Sequence, residues 1–181
     1  MSLHKQPELK EAVLNLPQKE KDKLLVRLVG KDKMLMKQLH FQLLEDQMDL
    51  EDRIEKLKTN LRELFADGRH SIKNLPMYSY YKELHSLLRQ ASGVINEHEK
   101  VTKDKFSEVE CRIYILNEAF KRFPRLFDKS AVHTALKLRE YTKARLRITY
   151  TKFEKLHEDL QFDLQGPMQG VVDFATDREL V

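Results

Sequence analysis

The sequence predicts an all-α protein, an elongated antiparallel helical bundle, from three observations. Residues 31–66 run for thirty-six positions without Gly or Pro. Within them Leu50, Ile54, Leu57, Leu61 and Leu64 recur at alternating spacings of four and three, the rhythm of helices in long contact. Charged residues make up 34% of the 181 positions and aromatics 8%, with only 5 Gly and 5 Pro. That balance suits long solvated helices and argues against sheets, which need more turn residues and β-branched runs.

The chain begins with two short helices. Residues 7–16 place Leu9, Ala12, Val13 and Leu16 on one side of the first. Pro17 marks the start of the second, since a first-turn proline gives up no hydrogen bond it would otherwise make. Its apolar face is Leu24, Leu25, Leu28 and Val29, and Gly30 is read as a left-handed stop. A long helix then covers 31–66, with Asp32 in its first turn, where a carboxylate suits the helix dipole. Its first half carries Met34, Leu35, Met36, Leu39, Phe41, Leu43, Leu44 and Met48 around most of its circumference. Such a helix requires cover on several sides, so this half is expected inside a multi-helix core beneath the two short helices. The second half, with one seam, is expected as a thinner arm.

Asp67-Gly68 should end this helix and Asn74-Leu75-Pro76 should make a second break, leaving 67–76 as a connector. A middle helical pair follows. Residues 77–101 align Tyr81, Leu84, Leu88, Ala91, Ile95 and Val101, and residues 104–123 align Phe106, Val109, Ile113, Leu116, Phe120 and Phe123. The phase slips between Val101 and Phe106, which puts a break near 102–104. A second long helix, 130–164, carries Ala135, Leu138, Thr142, Leu146, Thr149, Phe153, Leu156 and Leu160 until Gly166-Pro167 stops it. The expected organisation is one helical domain over 1–165, its long helices packed on each other and on the middle pair. A tail, 166–181, then docks as an extended piece or stays loose.

Motifs assign no chemistry. The lone Cys111 excludes an internal disulfide framework and a multi-Cys zinc site, and suits a reducing compartment. The polar N-terminal stretch lacks the apolar region of a secretory signal, and no apolar run approaches a membrane span, so a cytoplasmic location is expected. Glu154-Lys155-Leu156-His157 has E-x-x-H spacing, but a di-iron bundle needs two such motifs and two further Glu residues, and only one copy is present. His40, His85 and His98 fall at the edges of apolar stripes. Phosphate-binding glycine loops, G-x-S-x-G and H-E-x-x-H are absent from the sequence. No catalytic, metal or cofactor residue is assigned, and a bundle-core metal enzyme is the weakest of three readings.

The leading reading is a non-enzymatic interaction or scaffold module that binds a protein partner or forms a homodimer. Its candidate assembly surfaces are the 50–64 seam and a second strip, Cys111, Ile115 and Ala119. The alternative rests on charge segregation. Residues 129–155 hold eight basic residues against two acids, whereas 45–55 hold six acids against one Arg. The candidate face for a polyanion, a nucleic acid or an acidic partner is Lys137, Arg139, Lys143, Arg145, Arg147 and Lys152. Nucleic acid is not favoured, because exposed aromatics do not interleave with these residues for base stacking. The competing structural expectation pairs the basic helix with the acidic 45–55 segment.

Overall fold

The computed structural model describes residues 3–73 and 79–180, and all regular secondary structure among them is helical, in keeping with the all-α expectation. Contacts divide the chain into two compact units, residues 1–45 and 46–181. The single domain expected over 1–165 is thus split near its first quarter, and its far boundary falls inside a helix.

The first unit holds a 3-10 turn, Leu3–Lys5, and helices α1 (Pro7–Leu14), α2 (Gln18–Val29) and α3 (Lys33–Leu44). Asp32 caps α3 by accepting from the Met34 and Leu35 amides at 2.9 and 3.0 Å. Gly30 ends α2 with φ −64, a right-handed conformation, so the left-handed stop expected there is not used. None of these helices contains a buried residue. The expectation that the first half of a long helix lies in a multi-helix core is therefore overturned: Leu43 and Leu44 are each 73% exposed. Units this short bury too little surface to close a core alone.

The helix expected over 31–66 breaks at Glu45-Asp46, where α4 (Gln47–Lys73) begins the second unit. Asp46 Oδ1 accepts from the Met48 and Asp49 amides at 2.8 and 3.2 Å, and Asp49 Oδ2 accepts from the Asp46 amide at 3.0 Å. This is a reciprocal capping box with aspartate in the third helical position. It satisfies donors that a helix start otherwise leaves orphaned, so the chain breaks without Gly or Pro. At its other end α4 continues through Gly68 to Lys73, past the expected stop. A Cβ on Gly68 would stand 2.8 Å from Leu87 Cδ2, so this glycine lets two helices approach. The break expected at Asn74-Leu75-Pro76 lies outside the described residues.

Helices α5 (Tyr80–Thr102) and α6 (Lys105–Arg122) meet at the break expected near 102–104. Lys103 takes the left-handed conformation, φ 58, and donates to the Glu99 carbonyl at 2.8 Å. Asp104 then caps α6 by accepting from the Ser107 amide. A 3-10 turn, Pro124–Phe127, leads to α7 (His133–Phe153) and α8 (Glu158–Asp177), which replace the single helix expected over 130–164. Gln161 donates to the Glu154 and Leu156 carbonyls at 3.3 and 2.8 Å, occupying acceptors that α7 leaves free at its end.

Gly166-Pro167 does not stop α8. Pro167 lacks the amide that would reach the Asp163 carbonyl, but both residues lie on the exposed side of the helix. The inner side carries Leu164, Met168, Val171 and Ala175, all buried, and Leu180 beyond it is buried too. Residues 166–180 are thus a docked helix and its end, neither extended nor loose. Helix α6 packs on α4, α5, α7 and α8, and α7 packs on α5 and α6, so the expected contact between two long helices gives way to a shared central helix. The α4 seam is covered in part within the unit: Leu50, Ile54 and Leu64 are half-buried and Leu57 is buried, while Leu61 and the neighbouring Phe65 are both fully buried. Replacing either with Ala is expected to lower the unfolding free energy by about 2–5 kcal/mol. Leu44→Ala should change it by no more than about 0.5 kcal/mol. Urea titrations followed by circular dichroism measure both.

Candidate functional site

Because α6 is covered on several sides, its polar residues must find partners inside the unit. Glu108 and Arg112, one turn apart, are 2% and 4% exposed. Glu108 Oε1 accepts from Arg112 Nε at 2.9 Å and from Nη2 at 2.7 Å, while Oε2 accepts from Lys152 Nζ of α7 at 2.7 Å. Arg112 Nη2 also donates to Asn96 Oδ1 of α5. Both carboxylate oxygens are thus in use, and three helices are tied at one point. Nearby, His98 Nε2 and Ser107 Oγ are hydrogen-bonded at 3.1 Å. Burial pushes the His98 pKa down, with Arg53 assisting and Asp104 and Glu108 opposing.

The six basic residues read as one face of α7 have separate surroundings. Arg139, 8% exposed, donates to the carbonyls of Phe127, Arg178 and Glu179, which clasps the end of α8. Lys152 belongs to Glu108. The Arg145 guanidinium lies 5.0 Å from the centre of the Tyr141 ring, and the Tyr141 hydroxyl donates toward α5 at Ser92. Lys137 is exposed near His85 and, with burial and Arg89, holds the His85 pKa down. Only Lys143 and Arg147 share a side with a cavity between α7 and α8. The acidic 45–55 segment uses its charges locally: Asp46 and Asp49 in the capping box, and Glu55 in a 2.9 Å pair with Arg62. The expected pairing of that segment with α7 is replaced by Lys152–Glu108 and, on α4, by Lys58–Glu110 at 2.8 Å.

Cys111, Ile115 and Ala119, the strip assigned to assembly, are 1%, 2% and 0% exposed. Helix α4 lies on this side of α6. Phe65 meets Tyr114 edge-on at 6.4 Å, and Arg122 donates to the Phe65 carbonyl at 3.1 Å. The strip is therefore core, closed to a second chain. Burial, with Glu110 adding to it, pushes the Cys111 thiol up to about 12, so it is an inert thiol at neutral pH.

Among the described residues no group of three or more His, Cys, Asp or Glu stands together to hold a metal ion. His40 contacts Glu45 at 2.7 Å, and His157, in the turn before α8, contacts Asp159 at 3.3 Å. His85 meets the edge of Tyr141 at 4.8 Å. Each is engaged singly. No helix among the described residues is long and apolar enough to cross a membrane.

Three larger cavities remain. One of about 710 Å³ lies between α6 and α8, beside Asn117, Pro167 and Phe174. Two others, of about 490 and 410 Å³, flank α7 and share Arg147 and Thr151. Sequence reasoning missed these two. Their signal was the spacing of Lys143, Arg147 and Thr151 beside Leu146 and Tyr150, which was read only as charge beside a stripe. No family model, curated protein or solved structure matches this chain.

Two consequences can be measured. Glu108→Ala strands Arg112 as a buried cation and should cost about 3–5 kcal/mol in a denaturant titration. Lys152→Ala should cost less, because the Arg112 pair survives. The lowered His98 pKa gives a pH dependence of definite sign. The unfolded state binds the proton first, so stability is full above the ordinary value of 6.5 and falls as pH drops through the lowered folded value. His98→Gln should flatten melting temperature against pH between that value and 6.5.

Proposed function

We propose that this protein is a non-enzymatic helical interaction module whose apolar N-terminal helices are covered by a second copy of the chain. One observation carries this reading. Leu9, Leu14, Leu25, Val26, Leu28, Met36, Leu43 and Leu44 are between 41% and 73% exposed, while α1, α2 and α3 contain no fully buried residue. Exposed apolar surface gathered in one unit is characteristic of interaction sites. Covering one such side chain fully contributes about 1.5–3 kcal/mol, so a few of them make a partner worthwhile. A second copy is the occupant we assign. Chain segments too short for a core commonly complete one by oligomerisation, and an isologous contact offers the same faces twice.

The chemistry of the second unit supports a role without catalysis. Its buried carboxylate is fully engaged, its thiol is buried, and His85, His98 and His157 are each held singly. A cytoplasmic setting follows from the same reading, since a lone free thiol suits a reducing compartment. A continuous polyanion face has less support, because Arg139 and Lys152 are committed inside the unit.

Light scattering at micromolar concentration should give twice the 21.5 kDa of one chain. Leu25→Glu with Leu28→Glu should return the single-chain mass while leaving the main unfolding transition in place. A single-chain mass for the unaltered protein would remove the second copy as the occupant. An undiminished dimer in the double variant would move the interface away from α2.

A further inference from the structure

We infer that the second unit binds a single-chain amphiphile with a phosphate head, seated across α7 at Arg147. Arg147 and Thr151, one turn apart, line two cavities that differ in charge, both with apolar side chains in their walls, Val109 and Ile148 in the more charged one. On one side, about 490 Å³ is floored by the buried Leu146, Met168 and Leu180, with half-buried Val172 beside them. On the other, about 410 Å³ is lined by Lys105, Arg147, Lys152 and Lys155 together with Glu99 and Glu108. Both volumes lie within the range of small-molecule sites, about 300–1,000 Å³.

The charges in the second cavity do not cancel. Glu108 is held by Arg112 and Lys152, which removes one acid and one base from the balance. Glu99 then faces Lys105, Arg147 and Lys155. Among the described residues none of these three side chains makes a hydrogen bond or ion pair within the chain. Lys143, one turn before Arg147, sits at the mouth of the apolar cavity and lies close enough to Glu179 to help hold its carboxyl below the ordinary value. Glu179 is itself paired with Lys129 at 2.6 Å.

An unneutralised guanidinium flanked by lysines suits a phosphate monoester, with Arg supplying paired donors and Lys a point charge. An apolar cavity directly across the same residue suits a tail and does not suit a polyanion, which would seek further cations. Head and tail can therefore be bound together only by a ligand that straddles α7.

The test is calorimetric titration with octyl, decyl and dodecyl phosphate, each below its micelle concentration, and with inorganic phosphate. Affinity should rise about fourfold per methylene while the tail enters the apolar cavity. Inorganic phosphate should bind at least a hundredfold more weakly than dodecyl phosphate. Arg147→Gln with Lys155→Gln should weaken dodecyl phosphate at least tenfold and keep its dependence on chain length. Val172→Trp should remove that dependence and leave the melting temperature in place.

Equal affinity for inorganic and dodecyl phosphate would overturn the proposal in favour of a free-phosphate site. Binding to vesicles of phosphatidic acid in phosphatidylcholine, without binding of monomeric alkyl phosphate, would overturn it in favour of a membrane surface. Affinity unchanged in both variants would place the amphiphile elsewhere and overturn it as well.

Discussion

The packing of α6 against four other helices is the constraint from which the rest of the second unit follows. Ten of its eighteen residues are buried, among them Ser107, Glu108 and Arg112. A helix so enclosed cannot leave a buried charge unpaired, and each neighbour supplies a polar tie. Helix α5 provides Asn96 and His98, and α7 provides Lys152. Helix α4 provides Lys58 and the Phe65 carbonyl, and α8 the Pro167 carbonyl that accepts from Asn117. Apolar contact alone would let these helices slide by a turn at little cost. The ties fix which turn of each helix faces α6. The buried pair need not add net stability to do this, since desolvation of two charges offsets much of their attraction.

Much of this arrangement could be read from the residues. Two apolar strips on 104–123 were legible, as was the break beside them, because the phase slip at Val101–Phe106 coincides with a residue pair that ends one helix and caps the next. What the pattern could not say is which cover each strip has. Cys111, Ile115 and Ala119 look the same in sequence whether α4 or another chain lies over them. Their burial depends on α4 crossing that face, a tertiary fact that helical periodicity does not encode.

The misread boundaries share a cause. Gly and Pro commonly punctuate helices, and three sites show why that rule is incomplete here. Gly68 continues a helix because Leu87 needs the space. Pro167 sits inside α8 because it faces water on a helix held by its other side. The chain breaks at Asp46 with neither residue, because Asp46 and Asp49 cap each other's amides. That signal was in the sequence as D-x-x-D. It was hidden inside a run of acids expected to pair with the basic 129–155 helix. The charges on α7 misled in a similar way. Periodicity places Arg139 on an edge of the stripe, but it cannot reveal that three carbonyls converge there to receive it.

The two units differ in how they stay folded. Residues 46–181 have a contiguous core and internal partners for their buried charges, and so carry their own stability. Helices α1, α2 and α3 are 8, 12 and 12 residues long and bury no side chain. Isolated helices below about 12–15 residues are marginal in water, because nucleation costs more than so few turns return. In the proposed dimer, order in the first unit is therefore supplied largely by the second copy that covers its apolar faces. Part of the gain from that cover is then consumed in ordering the helices, which lowers the net affinity below what the buried area alone would give. An interaction built this way is reversible, and its strength responds to helix propensity at exposed positions as well as to contacts. In the second unit, by contrast, the cavities beside α7 are lined by side chains whose backbone is already fixed. A ligand entering there meets a preformed wall and incurs no such folding cost.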